Sequence, residues 1–331
     1  MTIISPSLPT PSNSFGKRHI FAVLFVVVVY ILGQHPRDNP LTPIRDPERS
    51  TDPLLIAAPN PLFCQDDDDD DDDFVVTHCS CRDPTVAYMY KRQLWRAHHQ
   101  RMKQVAAAAP SQLDVVFLGD SILERLNGTR MNGHQPAYFA NKRVVFDQYF
   151  QTERMKGLIL GSSGDTTGHF LWHLQNGLLP ESLQPKAFVI LLGTNNMGRD
   201  GCNKRTTLAG ILQVIHVVHR QKPDAMILVH GLLPCSDQKP FRGPDYNELE
   251  NRFTLGRQWK NSLWINAELK KTCDLMRFCA YMDSGDVFLT PDGKIQDDRM
   301  VDSMHPSLEG YKMWVPRIAG RLELLLKKSR E

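Results

Sequence analysis

The chain has 331 residues, of which 41% are hydrophobic and 23% are charged. This composition is that of a globular protein with enough length for one substantial core or two. The formal net charge is only +2, and the sequence carries no RNA-binding signature and no C-x-x-C pair. It therefore predicts no nucleic-acid partner.

The first hydrophobic segment follows a polar tail, residues 1–19, that ends with Lys17 and Arg18. Residues 20–33, "IFAVLFVVVVYILG", contain no charge over fourteen positions. That is shorter than the roughly 20 residues that span a typical bilayer, and fits a signal-peptide core or a short anchor. Because Ile31 and Gly33 make a poor cleavage site, the pattern favours an uncleaved signal-anchor that contacts the membrane.

Two features favour a lumenal or extracellular location for the rest of the chain. Asn127 begins the sequon Asn-Gly-Thr and is a candidate for N-glycosylation. The seven cysteines suit an oxidising compartment. Basic residues flank residues 20–33 on both sides, so the positive-inside rule does not set the orientation. We expect a single-pass protein of the endomembrane system with a lumenal catalytic domain, or a secreted protein, rather than a cytosolic one.

Residues 34–83 have the composition of a linker. Prolines punctuate the first part, and residues 66–73 are eight consecutive aspartates. Such a charge run repels itself and stays solvated, which predicts a disordered spacer. Weak calcium binding is the alternative, but carboxylates on a flexible chain lack a formed cage. The globular domain is expected to occupy residues 84–331.

From residue 84 onward, helical patterns alternate with short apolar runs. The first helical pattern starts near residue 84 and ends before Pro110. Near-continuous apolar strands are typical of a parallel sheet that is covered on both faces, so the alternation predicts a doubly wound, three-layer α/β/α domain. The predicted strands begin near residues 114, 157, 187, 225 and 278, and the main later helices span 166–176, 204–221, 246–272 and the C-terminal residues from 307.

Polar residues with catalytic chemistry follow four of the five predicted strands. Ser121 follows the first strand, Gly164 the second, Asn195 the third, and Asp302 and His305 come after the fifth. In open α/β sheets, binding sites lie beyond the carboxyl ends of the strands. The sequence therefore predicts that these residues meet in one site.

These residue types suit nucleophilic catalysis at an ester. A serine hydroxyl needs a base, and His305 could take the Ser121 proton while Asp302 orients the imidazole. An i, i+3 pair at the start of a helix would bring Asp302 and His305 to one side. The Ser121 N–H, the Gly164 N–H and the Asn195 side chain could then form an oxyanion hole. We expect Ser121 to cap its helix as well.

These segments resemble the sequence blocks of the SGNH, or GDSL, hydrolase superfamily, in the same order. The segments "GDTTGHFLWHLQNG", "GTNN" and "GLLP" are most similar to the catalytic subunits of the platelet-activating-factor acetylhydrolase type. The resemblance covers residues 110–325. It implies a flavodoxin-like sheet of five parallel strands and hydrolysis of short-chain esters of small molecules, saccharides or lipids, with no cofactor and no metal. It also implies a catalytic triad of Ser121, Asp302 and His305, with Asp120 and Asp165 in supporting positions.

Other functions are weighed against this hypothesis. Anchored enzymes with GDS and D-x-x-H motifs acetylate polysaccharides, so a lumenal O-acetyltransferase is the main alternative; the "GTNN" block counts against it. An inactive binding module is disfavoured by the full set of catalytic residue types. His169 and His173 could ligate zinc, but a third ligand is not evident, and a pair on one helix face is the simpler interpretation.

The cysteines offer two candidate disulfides. Cys202 follows the third strand and Cys235 follows the fourth, and these strands are neighbours in the expected sheet order, so the two could bridge the rim of the site. Cys273 and Cys279 form the other candidate pair. The sequence leaves the oligomeric state and the identity of the ester open.

Overall fold

Five short strands form the centre of the fold, and each lies within one of the apolar runs that predict a strand. The computed structural model describes residues 61–64, 79–90, 92–110, 113–131, 137–238, 247 and 253–328. The strands pair in the order β2-β1-β3-β4-β5 and all pairings are parallel. The predicted three-layer, flavodoxin-like fold is confirmed. The strands are β1 (Val115–Gly119), β2 (Gly157–Gly161), β3 (Ala187–Leu191), β4 (Met226–His230) and β5 (Cys279–Met282).

The helices connect the strands and cover the sheet. Helix α3 packs on both α2 and α9, while α4 packs on α6 and α6 packs on α7. The central strands β1 and β3 are buried along their whole length, as a sheet covered on both faces requires. In chain order the helices are α1 (Gln93–Ala107), α2 (Ser121–Leu126), α3 (Ala137–Phe150), α4 (Thr167–Gln175), α5 (Thr194–Gly198), α6 (Lys204–Gln221), α7 (Arg257–Asp274), α8 (Gly285–Phe288) and α9 (Leu308–Lys328).

The first helix starts later than its sequence pattern predicts. Residues 84–90 run beside α4, where the Tyr88 N–H donates to Gly168 O at 3.1 Å and the Thr167 hydroxyl donates to Pro84 O at 3.0 Å. These bonds use backbone groups that a helix would need internally. The helical propensity of this stretch is therefore overridden by tertiary hydrogen bonds, and α1 begins only at Gln93.

Helix α7 also starts later, at Arg257 rather than near residue 246. The carboxylate of Asp237 accepts hydrogen bonds from the N–H groups of Arg257 and Gln258, at 3.2 and 2.8 Å. Free N–H groups at a helix start need such acceptors. A carboxylate twenty residues away in the sequence therefore sets this boundary, which local patterning does not reveal.

The structure contains three disulfides, and one of the two expected pairs is wrong. Cys202 pairs with Cys81, and Cys235 is a buried free thiol. The Cys202–Cys235 pair was expected because the two residues follow neighbouring strands, but the position of Cys81 was not part of that argument. The other pairs are Cys64–Cys79 and the candidate Cys273–Cys279.

Backbone hydrogen bonds explain why Cys81 reaches Cys202. The Ser80 N–H donates to Asp200 O at 2.9 Å, so the chain before α1 lies along the loop that follows α5. The Asn203 N–H donates to Phe63 O at 2.7 Å. Parts of the predicted linker, residues 61–64 and 79–83, are thus bound to the domain, and its expected boundary at residue 84 is too late.

Several sequence predictions fall outside the described residues. These are the polar tail 1–19, the hydrophobic segment 20–33, and the aspartate run 66–73. Within the described ranges, no helix is long and apolar enough to cross a membrane. Membrane attachment and localisation remain predictions.

Candidate active site

Ser121 lies at the turn between β1 and α2. Gly119 ends the strand at a point where an added Cβ would stand 2.6 Å from the Leu191 carbonyl oxygen, so the close approach of β1 and β3 requires glycine. Asp120 caps the helix, since its carboxylate accepts from the Ile122 N–H at 3.0 Å. The expected capping role of Ser121 is wrong. Because Asp120 takes that role, the Ser121 hydroxyl is left for another partner.

That partner is His305. The Ser121 Oγ lies 2.8 Å from His305 Nε2, and His305 Nδ1 lies 2.8 and 2.9 Å from the two Asp302 carboxylate oxygens. A carboxylate accepts, so Nδ1 carries the proton and Nε2 is free to accept from the serine hydroxyl. The structure thus brings the three predicted triad residues into one hydrogen-bonded chain.

Asp302 and His305 lie in a turn before α9, not at the start of a helix as expected. The backbone N–H of His305 donates to Asp302 Oδ1 at 3.0 Å, which fixes the turn. Ser303 between them has a φ of 60°, which is uncommon for a residue other than glycine. The carboxylate thus holds both the ring and the backbone of His305.

Burial and neighbouring charges tune the triad. Burial lowers the pKa of His305, and the positive charges of Arg125 and Lys142 add to this effect against the opposing influence of Asp302. Partial burial alone would raise the pKa of Asp302, but the hydrogen bonds from His305 and the Arg125 charge outweigh it and hold that pKa below its usual range. At neutral pH His305 is therefore a neutral base beside an ionised carboxylate.

The candidate oxyanion donors share one cavity with Ser121 and His305. Gly164 and Asn195 line a cavity of about 410 Å³ together with Ser121 and His305. Gly164 has a φ of 80°, a conformation that favours glycine. The Asn195 amide donates to Asp165 O at 2.9 Å and makes a longer contact, 3.3 Å, with Asp120 Oδ2. The structure therefore brings all the predicted catalytic and oxyanion residues together.

A buried polar cluster supports the loop that carries Gly164. The fully buried Asp165 accepts from Trp95 Nε1 at 2.7 Å, and its other oxygen lies 2.9 Å from His173 Nε2. His173 Nδ1 in turn lies 2.8 Å from His99 Nδ1. Burial raises the pKa of Asp165 and lowers that of His173, so both directions favour neutral, hydrogen-bonded forms.

The carbonyl of Gly164 is held from the other side. The Tyr90 hydroxyl donates to Gly164 O at 3.3 Å, and the guanidinium of Arg199 also donates to it. Sequence reasoning missed Trp95, Tyr90 and Arg199 as site-supporting residues. The dense aromatic and basic stretch "YMYKRQLW", which runs from residue 88 into the first turn of α1, is the only sequence signal that could have indicated two of them.

Two further candidate sites have structural explanations. His169 Nδ1 lies 2.8 Å from the Thr166 hydroxyl, so it completes the N-terminal cap of α4, and His173 belongs to the buried cluster. Among the described residues no group of three or more metal-ligating side chains is assembled. The sequon residue Asn127 accepts from Arg143 at 2.6 Å, and its glycosylation remains a prediction.

Comparisons with known proteins agree with this geometry. The sequence matches the model of the GDSL-like lipase/acylhydrolase family over residues 117–313. The chain belongs to this family. The α1 subunit of platelet-activating factor acetylhydrolase IB from Homo sapiens is 30% identical over 66% of this chain and 78% of the relative. The α2 subunit from Gallus gallus is 29% identical over 64% of this chain and 76% of the relative.

Solved structures share the fold. A Bacteroides fragilis protein described as an acylhydrolase superposes with a TM-score of 0.52 and 18% identity, over 72% of this chain and all of that chain. A Streptococcus pneumoniae protein described as a platelet activating factor superposes with a TM-score of 0.53 and 17% identity, over 70% of this chain and 93% of that chain. The GDSL acylhydrolase fold is thus shared across distant sequences.

Proposed function

We propose that this GDSL acylhydrolase is a serine esterase that cleaves short-chain, acetyl-type esters through an acyl-Ser121 intermediate. The observation that carries the proposal is the hydrogen-bonded chain from Ser121 through His305 to Asp302, of which Ser121 and His305 line a cavity. Its order and distances match the requirements of nucleophilic catalysis by serine.

The reaction follows from the positions of the protons. His305 Nε2 takes the hydroxyl proton as Ser121 Oγ bonds to the ester carbonyl carbon, and the tetrahedral intermediate carries the charge on the former carbonyl oxygen. The intermediate then breaks its bond to the alcohol oxygen, which leaves with the proton from His305. Water attacks the acyl-Ser121 by the same route, and the carboxylic acid leaves while His305 returns the proton to Ser121.

In this mechanism the N–H groups of Ser121 and Gly164 and the Asn195 amide stabilise the oxyanion. The 3.3 Å contact between Asn195 and Asp120 is longer than an ordinary hydrogen bond, whereas its bond to Asp165 O is normal. An oxyanion can therefore replace Asp120 as a partner while the bond to Asp165 keeps the amide in place.

The preference for a short acyl group rests on the relatives, which are named as acetylhydrolase subunits. The cavity also supports it, because Met131, Met304 and Phe139 line it together with Ser121 and its volume is only about 410 Å³. Such a volume lies at the low end for small-molecule sites, which leaves little room for a long acyl chain beside an alcohol.

A fluorophosphonate probe tests the assignment. It should label the full-length protein once, at Ser121, and Ser121→Ala should abolish both labelling and acetyl-ester hydrolysis. Ser163→Ala is the matched control for labelling, because Ser163 lines the same cavity but its hydroxyl donates to the Glu124 carboxylate instead of a histidine. Labelling that persists in Ser121→Ala would overturn the assignment.

We also propose that the domain works in an oxidising compartment of the secretory route. The support is the three disulfides, two of which fasten the chain before α1. Disulfides persist in such compartments and are rare in the cytosol. Alkylation of the native protein without reductant should modify only Cys235 once the protein is denatured; reaction of all seven cysteines would contradict the proposal.

A further inference from the structure

Three positive charges surround one aromatic ring beside the nucleophile. The charged groups of Lys142, Arg125 and Arg130 lie 5.1, 5.7 and 5.8 Å from the centre of the Phe139 ring. Phe139, Arg125 and Arg130 also line the cavity that contains Ser121. Each cation is within the range of a cation–π contact, but three on one ring repel one another.

Negative charge balances only part of this group. The Asp302 carboxylate lies 3.2 Å from Arg125, but it is also the acceptor for His305. Of the described residues that line the cavity, none is Asp or Glu. Arg130 is exposed and makes no ion pair with any described carboxylate. Among the described residues, the cavity lining therefore carries a positive charge at Arg130 that no carboxylate pairs.

A buried lysine is the third positive charge near this ring. Lys142 is 1% exposed, and burial lowers its pKa to about 8, an effect to which the charge of Arg125 contributes. Its ammonium donates to Pro306 O, a neutral acceptor, at 3.3 Å. At neutral pH Lys142 thus still holds most of its positive charge behind the Phe139 ring.

The position of the charges indicates which part of an ester they would face. In the proposed mechanism His305 returns its proton to the leaving oxygen, so the alcohol part of the ester lies on the His305 side. Arg125 is on that side because it contacts Asp302, the partner of His305. Arg130 contacts the same Phe139 ring as Arg125 and lines the same cavity.

We infer that the natural substrate is an ester whose alcohol part bears an anionic group, a phosphate or a carboxylate, and that Arg130 binds this group. The inference rests on the proposed esterase function and names its substrate class. The planar guanidinium offers paired donors that match either anion, and it has no competing carboxylate among the described residues. Arg125, held by Asp302, adds a second positive charge to the same cavity.

Matched aryl acetates test the inference on the full-length protein. The set is phenyl acetate, which is neutral, para-acetoxybenzoate and para-acetoxyphenyl phosphate, which are anionic, and para-acetoxyphenyl trimethylammonium, which is cationic. All release the same acyl group, so comparing each variant with the wild type cancels the intrinsic reactivity of each ester. The two anionic esters separate phosphate from carboxylate recognition.

Arg130→Gln should lower kcat/KM for an anionic ester, relative to phenyl acetate, by about tenfold, the effect of losing one hydrogen bond between charged groups. Most of the change should appear in KM. Arg130→Lys should retain part of the preference, and Arg130→Glu should shift it to the cationic ester. Raising the salt concentration should weaken the wild-type preference for anionic esters.

Arg154→Gln is the matched control, since Arg154 is an exposed arginine that does not line the cavity. It should leave every ratio unchanged. If Arg130→Gln lowers kcat/KM for neutral and anionic esters equally, or for neither, the anion site is wrong while the esterase function stands. If the wild type cleaves none of the four esters, the proposed function itself fails and the inference falls with it.

Discussion

His305 is the only base within hydrogen-bonding distance of Ser121 among the described residues, so its loss should have the largest effect of any triad substitution except that of Ser121 itself. We expect His305→Ala to remove nearly all turnover of an acetyl ester. Steady-state kcat is the measurement, and an unchanged melting temperature is the control that the fold is kept. Substantial turnover in this variant would contradict the assigned base.

Asp302→Asn tests the orientation of the imidazole. The asparagine amide can donate to His305 Nδ1, which would move the ring proton to Nε2 and leave no acceptor for the Ser121 hydroxyl. A wrong tautomer of this kind lowers kcat by a factor on the order of 10⁴. The Asp302 side chain also accepts from the backbone of His305, so Asp302→Glu, which keeps the charge but displaces it, should lose activity as well.

The pH dependence follows from the direction of the His305 pKa. Burial lowers this pKa from its ordinary value of 6.5, so the neutral form persists to lower pH. Only the neutral ring accepts the serine proton, and therefore kcat/KM should fall as pH decreases through a midpoint below 6.5. A kcat/KM profile with no acid limb, measured where the protein stays folded, would count against a histidine base.

At the residue level, the sequence could predict the catalytic groups but not their supports. Ser121 and Asn195 stand in local motifs just after β1 and β3, which pair in the parallel sheet, and His305 stands in a short Asp-x-x-His motif before α9. Trp95 and Arg130 have no such motif. Their roles depend on a helix docked behind the Gly164 loop and on a shared contact with Phe139, which only the folded chain reveals.

The segment of residues 79–90 shows how an element outside the matched family region can affect the site. Its Tyr90 hydroxyl donates to Gly164 O, and its Tyr88 hydroxyl lies 2.7 Å from the Thr166 hydroxyl on the same loop. The Cys81–Cys202 disulfide fastens the segment across 121 positions of sequence. We therefore expect the conformation of the loop that carries Gly164 to depend on this bond.

We expect the double variant Cys81→Ser/Cys202→Ser to have a lower kcat than the wild type, because the loop that carries Gly164 loses a fixed support. Removal of such a disulfide should also lower the free energy of unfolding by about 2 to 5 kcal/mol. Acetyl-ester kinetics and denaturant melts measure the two effects.

The matched control is Cys273→Ser/Cys279→Ser, whose bond lies between α7 and β5, in a different cavity. It should lower stability without a comparable change in kcat. Equal kcat values in the two double variants would contradict the expected dependence of the Gly164 loop on residues 79–90.

At the level of elements, the strands were predictable because each is a short, nearly unbroken apolar run. The starts of α1 and α7 were harder to predict, because hydrogen bonds to distant parts of the chain determine them. The Asp237 carboxylate accepts at the start of α7, and the backbone of α4 accepts from the segment before α1. Helix α3 was missed altogether. Its sequence, "AYFANKRVVFDQYF", is rich in aromatic and β-branched residues, which have no strong helical preference, and its helical form depends on packing against α2 and α9.

For the whole molecule, the order of strands and helices was enough to predict the sheet, because strand–helix alternation permits few topologies. The extent of the domain was not predictable in the same way. Proline-rich and acidic composition favoured a linker up to residue 83, whereas disulfides and hydrogen bonds attach residues 61–64 and 79–83 to the domain. Cysteine pairing is a property of the fold, and spacing alone left it open.

The choice between hydrolase and acyltransferase is also a property of the whole molecule, because both reactions share the acyl-Ser121 intermediate and differ only in the second acceptor. We expect the full-length protein to cleave acetyl esters faster than long-chain esters and to release free acetate, with little change when saccharide acceptors are added. The physical reason is that the cavity around Ser121 is open to water and small. Quantifying acetate and acetylated saccharide in the same reaction separates the outcomes. Acetylated saccharide formed in preference to acetate would require a specific acceptor site, and the protein would then be an O-acetyltransferase.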